Sequence, residues 1–386
     1  MRIQKIIGMV LVAGLLTCGI VYAQETQDDD QADIGGTPPR LSFVDGQVSF
    51  WRTGAPDWVE AEINTPLAPG DQLYSGESAN LELQIDNRAF VRAGANTQIG
   101  LENLESNYTQ FKVTAGSVSL DIRDIDPEKT VEVDAPSAAL LINHPGYYRI
   151  DVDGEHTSFT VRRSGEATIT PSAGDSFQIL SDEEATLDGT GTPQIGTYQA
   201  PEMDQWDQWG LSRTDELLNS TSARYVSAGM YGAGDLDEAG NWRQDSEYGN
   251  VWVPADTPEG WAPYSSGSWI NDPVYGTTWV DSEPWGWAPY HYGRWVSLDG
   301  QWAWCPGPPV RRPVYAPALV VFLGNQDSIE RGDGESVIAW VPLGWGEPLV
   351  PWWGPERFRR PWWGGWGGPR FTEVEHTGRY RNMAGF

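Results

Sequence analysis

Cysteine, histidine and positive charge are all scarce in this chain. Of its 386 residues only Cys18 and Cys305 are cysteine. Cys18 falls inside an N-terminal leader, so Cys305 is left alone and a disulfide framework is excluded; its aromatic, Pro-rich surroundings point to packing. Histidine occurs four times, at His144, His156, His291 and His376, and no two have metal-ligand spacing such as HExxH. Lys and Arg number 25 against 54 Asp and Glu, a formal charge of -29, or -31 once Arg2 and Lys5 leave with the leader. Such a surface repels nucleic acid and anionic lipid, which argues against nucleic acid as a partner. Long apolar runs are missing after residue 23, so no transmembrane segment is expected beyond the leader.

Motifs of catalysis are equally scarce. There is no G-x-S-x-G elbow, no credible Cys-His pair, and no phosphate-binding glycine loop between a strand and a helix. Asp235, Asp237 and Gly240 hint at a calcium loop, but Ala239 and Ser246 stand where an EF-hand needs ligands, so a turn before Trp242 is expected instead. Paired carboxylates could serve a glycosidase, yet among 54 acidic residues such pairs carry no specificity. The expectation is a chain that is not an enzyme and has no cofactor or metal.

What is present begins with an address. Arg2 and Lys5 precede an apolar stretch from Ile6 to Ile20, and Val21-Tyr22-Ala23 supplies small residues for a signal peptidase. Residues 1–23 therefore read as a bacterial signal peptide cut between Ala23 and Gln24, giving a periplasmic or secreted protein. An uncleaved anchor would need a longer run, and a lipoprotein built on Cys18 would want a smaller residue than Thr17 before it. Residues 24–39 are polar and acidic and are expected to form a disordered linker.

Residues 40–195 read as an all-β domain. Asp45-Gly46 between LSFV and QVSF predicts a hairpin. Leu81, Leu83 and Ile85 alternate with Glu82, Gln84 and Asp86, predicting one apolar and one wet face. Tyr148, Ile150 and Val152 are expected to pair with Phe159 and Val161 around Asp153-Gly154. Residues 196–224, with Trp206, Leu211 and Leu217, predict a connector containing one or two helical turns.

Tryptophan then becomes abundant: 19 of the 21 lie after residue 200. YGNVWVP at Tyr248 returns as YGTTWVD at Tyr275, GWAPY at Gly260 returns at Gly286, and the Trp of SGSW (Trp269) returns in YGRW (Trp295). GNW at Trp242 and QWAWCP around Trp304 supply partial copies. The period of about 26 residues suits a short hairpin unit that cannot bury its own aromatics, so copies must stack. Core packing between repeats is one reading of residues 225–310. The other is a binding surface, whose densest patch is Trp285, Trp287, Tyr290, His291, Tyr292, Arg294 and Trp295, with Trp285 and Trp287 facing one way if they lie on a strand. Residues 311–386 form a C-terminal extension, partly irregular, in which PWWG recurs among Arg357, Arg359, Arg360 and Arg370. It reads as low-complexity sequence or as a contact element for an acidic partner or a membrane interface. The chain stops at Phe386 without a terminating element, as a fragment would.

Two family resemblances follow from these residues. VDGQVSFWR, PLAPGDQLYSGESANLELQI and PGYYRIDVDGEHTSFTVRRSGEATI make residues 41–190 resemble a FecR domain, the extracytoplasmic β domain of iron-uptake sigma regulators. YGNVWVP, EPWGWAPYHYGRW, YAPALVVF and WVPLGWGEP make residues 225–355 resemble a Trp-rich domain of unknown function that follows FecR domains in exported proteins. The resemblance implies a mainly β chain: a FecR-like domain, a short helical connector and a Trp-rich β-repeat domain. It brings no catalytic residues. A FecR regulator also carries a cytoplasmic arm, which a chain starting with a signal peptide lacks, so the resemblance implies the β domain and not the anti-sigma role. The expected function is non-enzymatic binding or scaffolding in the cell envelope, with an envelope protein or a glycan as partner. Envelope signalling through a membrane partner and a glycan-binding or cell-wall-acting role are the alternatives.

Overall fold

Alternating apolar residues and closely spaced turns divide residues 40–199 into sixteen strands. In the computed structural model, which describes residues 36–311, 313–324 and 337–347, these are β1 (Arg40–Asp45), β2 (Val48–Trp51), β3 (Val59–Glu60), β4 (Gln72–Ser75), β5 (Asn80–Asp86), β6 (Ala89–Ala93), β7 (Gln98–Leu104), β8 (Tyr108–Ile122), β9 (Thr130–Asp134), β10 (Ala138–Ile142), β11 (Gly146–Asp153), β12 (His156–Arg162), β13 (Glu166–Pro171), β14 (Phe177–Leu180), β15 (Glu183–Asp188) and β16 (Gln194–Gln199). The leader with its Ala23–Gln24 junction, most of the acidic linker and the Arg-rich tail lie outside the described residues.

The strands form two layers that share β8. One layer runs β1-β5-β6-β8-β11-β12-β15-β16, and the other β3-β2-β4-β7-β8-β9-β10-β13-β14. Every pairing is antiparallel except β8 with β9. The first half of β8 pairs with β7 and β9, the second with β6 and β11. The strand changes layer near Gly116, whose φ is +86° and where an added Cβ would lie 2.5 Å from Thr97 Cα, so only glycine fits. Both layers contribute to one core, with Leu83, Val91, Leu120 and Ile150 from the first and Ile99, Val113, Val133 and Ile169 from the second. The chain is mainly β, and its sheets do not close into a barrel.

The Asp153-Gly154 hairpin is as expected, with Tyr148 opposite Val161 and Ile150 opposite Phe159. Asp45-Gly46 is not a hairpin. β1 pairs with β5 in one layer and β2 with β3 and β4 in the other, so this turn is a corner between layers. Gly46 has φ +77°, as a tight turn requires, but the φ requirement does not decide where the next strand pairs.

The connector contains a helix longer than expected, α1 (Gln205–Leu218). Asp204 and Asp207 form a reciprocal capping box at its start. It lies on the outer face of the first layer, where Trp209 meets Phe43 at 5.6 Å and Trp206 Nε1 donates to Asn80 at 3.2 Å. Gly210 packs against the Arg92 side chain, which lies 3.4 Å from where a Cβ would sit, an ordinary contact distance. The face expected to be wet is therefore covered: Glu82 and Gln84 are buried.

Beyond α1 come β17 (Gly240–Asp245), β18 (Gly249–Pro254), β19 (Gly267–Asp272), β20 (Gly276–Asp281), the short helix α2 (Trp287–His291), β21 (Arg294–Leu298), β22 (Gln301–Cys305), β23 (Val320–Gly324) and β24 (Val337–Pro342). They make four hairpins, each with an aromatic pair in register: Trp242 with Trp252, Trp269 with Trp279, Trp295 with Trp304, and Phe322 with Trp340. The 26-residue period is thus the hairpin period, and QWAWCP completes a third hairpin. The fourth hairpin lies in the stretch read as a partly irregular extension. The described residues all fall in one compact unit.

Candidate functional site

The aromatic patch singled out by the repeat is interior. Trp287, Tyr290, His291 and Trp295 are at most 1% exposed, Tyr292 and Arg294 3%, and Trp285 7%. Trp285 and Trp287 do not share a strand face, because Trp287 opens α2. An exposed aromatic platform is not what these seven residues form; the copies bury one another's rings, as stacked units that lack cores of their own must. Among the described residues no Trp after residue 200 is exposed.

The packing of the rings follows the repeat. Trp285 lies between Trp252 (5.0 Å) and Trp261 (6.1 Å), which continues to Trp295 at 5.8 Å. The tyrosines of the two GWAPY copies, Tyr264 and Tyr290, meet edge to face at 4.7 Å. Four of the buried indole N–H groups find acceptors: Trp252 donates to Leu236 O, Trp279 to Asp281, Trp295 to Pro289 O and Trp304 to Tyr292 O, at 2.9–3.1 Å. A glycine two residues before the first Trp of each of the first three hairpins makes room. A Cβ on Gly240, Gly267 or Gly293 would stand 2.4, 2.6 and 2.6 Å from the indole of Trp252, Trp279 and Trp304. GNW, GSW and GRW carried that signal in the sequence, where they mark the repeat without revealing why glycine recurs.

The chemistry of the patch is correspondingly muted. His291 Nδ1 lies 2.8 Å from Ala316 O, and burial pushes its pKa down to about 3, so the ring is neutral at ordinary pH. Arg294 donates to Glu347 O at 2.9 Å and to Gly293 O at 2.7 Å. Tyr292 Oη shares a 2.8 Å hydrogen bond with Thr37. Among the described residues no group of three or more His, Cys, Asp or Glu side chains converges on a metal-sized space.

Polar chemistry concentrates instead where the Trp-rich half meets the β layers. Arg40, on β1, is 2% exposed and forms an ion pair with Asp235, whose carboxyl burial pushes up and Arg40 pulls down. Arg40 also donates to Gln84 at 3.0 Å and Asn64 at 3.1 Å, and its guanidinium lies 5.5 Å from the Trp287 ring. Asn64 Nδ2 donates to Asp281 O and Glu283 O at 3.1 and 2.8 Å. Arg52 bridges Asp71 of the β layers (2.7 Å) and Asp272 of β19 (3.4 Å). Tyr231 Oη donates to Ile85 O at 2.9 Å. Sequence reasoning missed these residues. In the sequence Asp235 stands out only as a calcium-ligand candidate, and Arg40 only as the first residue of the β domain.

Beside this junction lies a cavity of about 230 Å³. Phe90, Leu217, Leu218, Val226 and Met230 supply its apolar wall, and Arg40, Gln84, Arg88, Ser227 and Asp235 its polar groups. Arg40 and Asp235 neutralise each other, and Ser227 Oγ accepts the Val310 N–H at 3.0 Å. Its lining holds no His, Cys, Lys or Tyr. It is a small amphipathic recess with its interior polar groups engaged, without a nucleophile paired to a base.

A family of unknown function, DUF6600, matches residues 233–347, from the cavity rim through the fourth hairpin. No curated protein matches the chain. Among solved structures, two of a proposed anti-sigma factor from Parabacteroides distasonis ATCC 8503, at 1.65 and 2.50 Å, are similar at 13% and 14% identity with TM-scores of 0.30. The similarity covers 33% of this chain and 59% of that one. Among the described residues no helix is long and apolar enough to cross a membrane.

Proposed function

We propose that this chain is a non-enzymatic scaffold of the bacterial cell envelope, exported by its leader and acting as one rigid β body toward an envelope partner. One observation carries the reading: the residues that looked most like a binding or reactive surface are consumed as core, and that core is bolted to the β layers by buried ion pairs. The acidic composition and the Arg2-to-Ala23 leader support an extracytoplasmic setting. Fractionation followed by mass spectrometry of the N-terminus tests the address. The expected result is a periplasmic or secreted chain beginning at Gln24; a full-length cytoplasmic chain would overturn it. Zymography on peptidoglycan and polysaccharides tests the non-enzymatic part, with no lysis expected and clear lysis contradicting it.

A second reading rests on the FecR-like motifs, whose residues form the layered β body: sensing a partner and relaying through a membrane protein. Transcript profiles of a null strain against one complemented with the full chain discriminate the two. A scaffold leaves no specific regulon altered, whereas a sensing component does. A glycan array tests the remaining alternative. The burial of the seven patch residues removes its original motive.

A further inference from the structure

The strand edges of the β layers are protected in different ways, with one exception. The outer edge of β1 is covered by the chain at 64–67, through Leu41 N–H to Thr65 O, Asn64 N–H to Leu41 O and Leu67 N–H to Pro39 O. β3 has two residues. β14 has four, and its Leu180 N–H is taken by the Glu183 carboxylate at 2.9 Å. β16 has six residues, Gln-Ile-Gly-Thr-Tyr-Gln, with no charge and no proline. Ile195 is 45% exposed and Tyr198 59%. Edge strands are normally blunted by charge, proline, shortness or a cover, and an edge with none of these is a template for another strand.

The parity of the hydrogen bonds says what that edge offers. Ala200 N–H donates to Asp182 O, toward β15, while Gly189 N–H turns the other way to Glu155 O. With Tyr198 opposite Glu184 and Gly196 opposite Thr186, the even residues of β16 bond to β15. The N–H and C=O of Ile195, Thr197 and Gln199 then point away from the sheet.

We infer that β16 is the seat of a weak two-fold homodimer, in which β16 of a second copy adds antiparallel and joins the two layers into one continuous sheet. Self-complementarity of the edge selects this occupant, and its lack of charge permits it. The chain carries -29 overall, so most surfaces of two copies repel, whereas two uncharged β16 strands meet without opposing like charges. Outward-pointing residues must exchange hydrogen bonds with outward-pointing residues. A register centred on Thr197 does this and sets Tyr198 of each copy opposite Gly196 of the other, an aromatic-over-glycine pairing. Tyr198 already leans over its own Gly196, with its ring within 2.6 Å of where a Cβ would stand. A pairing of six residues falls short of the roughly 1,200 Å² of a stable interface, so the dimer is weak.

Sedimentation of the full chain over a concentration series, at low and high salt, tests this. Mass should rise toward twice the monomer with concentration, and salt should strengthen association by screening the repulsion. Thr197→Pro, at a position whose N–H makes no intrachain bond, and Ile195→Lys should each abolish the concentration dependence, their circular dichroism and unfolding midpoint matching the parent. T197C should give a disulfide-linked dimer under mild oxidation, while Cys305 is buried. A monomer at every concentration and salt, or a dimer that survives both edge variants, overturns the proposal. So does association that salt weakens, which would indicate recognition of opposite charge.

Discussion

Asp281 shows how burial converts a single carboxylate into a pH dependence. It accepts from Trp279 Nε1 and from the Glu283 N–H, both at 3.0 Å, and burial pushes its pKa up to about 7. Between roughly pH 4 and that value the folded chain keeps a proton that the unfolded chain has released. Stability from this group is therefore greatest at low pH and falls as pH rises through that window. Asp281→Asn should flatten the fall in unfolding midpoint between pH 5 and 8; an unchanged slope would contradict it. His291 acts with the opposite sign. Its folded pKa of about 3 lies below the unfolded value near 6.5, so its contribution is complete above that value and is lost as pH falls toward 3. His291→Gln should make the acid limb of the stability profile shallower, measured by the same thermal melts.

At the scale of the element, the repeating hairpin depends on glycine as much as on tryptophan. Gly240→Ala, Gly267→Ala and Gly293→Ala each drive a methyl into an indole and into a carbonyl oxygen of the facing strand, and should destabilise by about 2 kcal/mol or more. Gly249→Ala, at φ +77° with nothing within 4 Å, should cost only about 1 kcal/mol. Urea unfolding distinguishes them, and equal losses in both classes would show that the close approach of the facing strand and its indole is unimportant. Trp279→Ala should cost about 3–5 kcal/mol, as removal of a fully buried ring does.

The same scale shows what the sequence could and could not reveal. The period of about 26, the Asp153-Gly154 hairpin and the alternation of Leu81, Leu83 and Ile85 were legible because they are local. The Asp45-Gly46 corner was misread because turn chemistry specifies φ and not the layer the next strand joins. Glu82 and Gln84 read as wet because their cover, α1 and the Trp-rich half, comes from more than a hundred residues away. Trp285 and Trp287 read as a surface because composition counts aromatic rings without saying which neighbours receive them.

For the whole molecule, the junction of the two halves decides whether there is one folding unit or two. Domain interfaces within a chain ordinarily permit relative motion unless they are large and well buried. Here Arg40–Asp235 and the 3.4 Å contact of Arg52 with Asp272 cross the interface and form only when the halves are docked, whereas Arg52–Asp71 lies within the β layers. Asp235→Ala leaves the Arg40 guanidinium buried without its counter-ion and should cost about 3–5 kcal/mol. Calorimetry should show that loss as a shift of one transition; splitting into two would mean that the halves unfold independently.

The tryptophans of the repeats are core, held as rigidly as the β layers they dock on. Hydrogen exchange of indole N–H groups, followed by NMR alongside the backbone amides, tests this most directly. The indoles of Trp252, Trp279, Trp295 and Trp304, each hydrogen-bonded and at most 2% exposed, should be protected to the same opening free energy as the amides of β8. Exchange of these four indoles within the dead time, while β8 stays protected, would contradict the account.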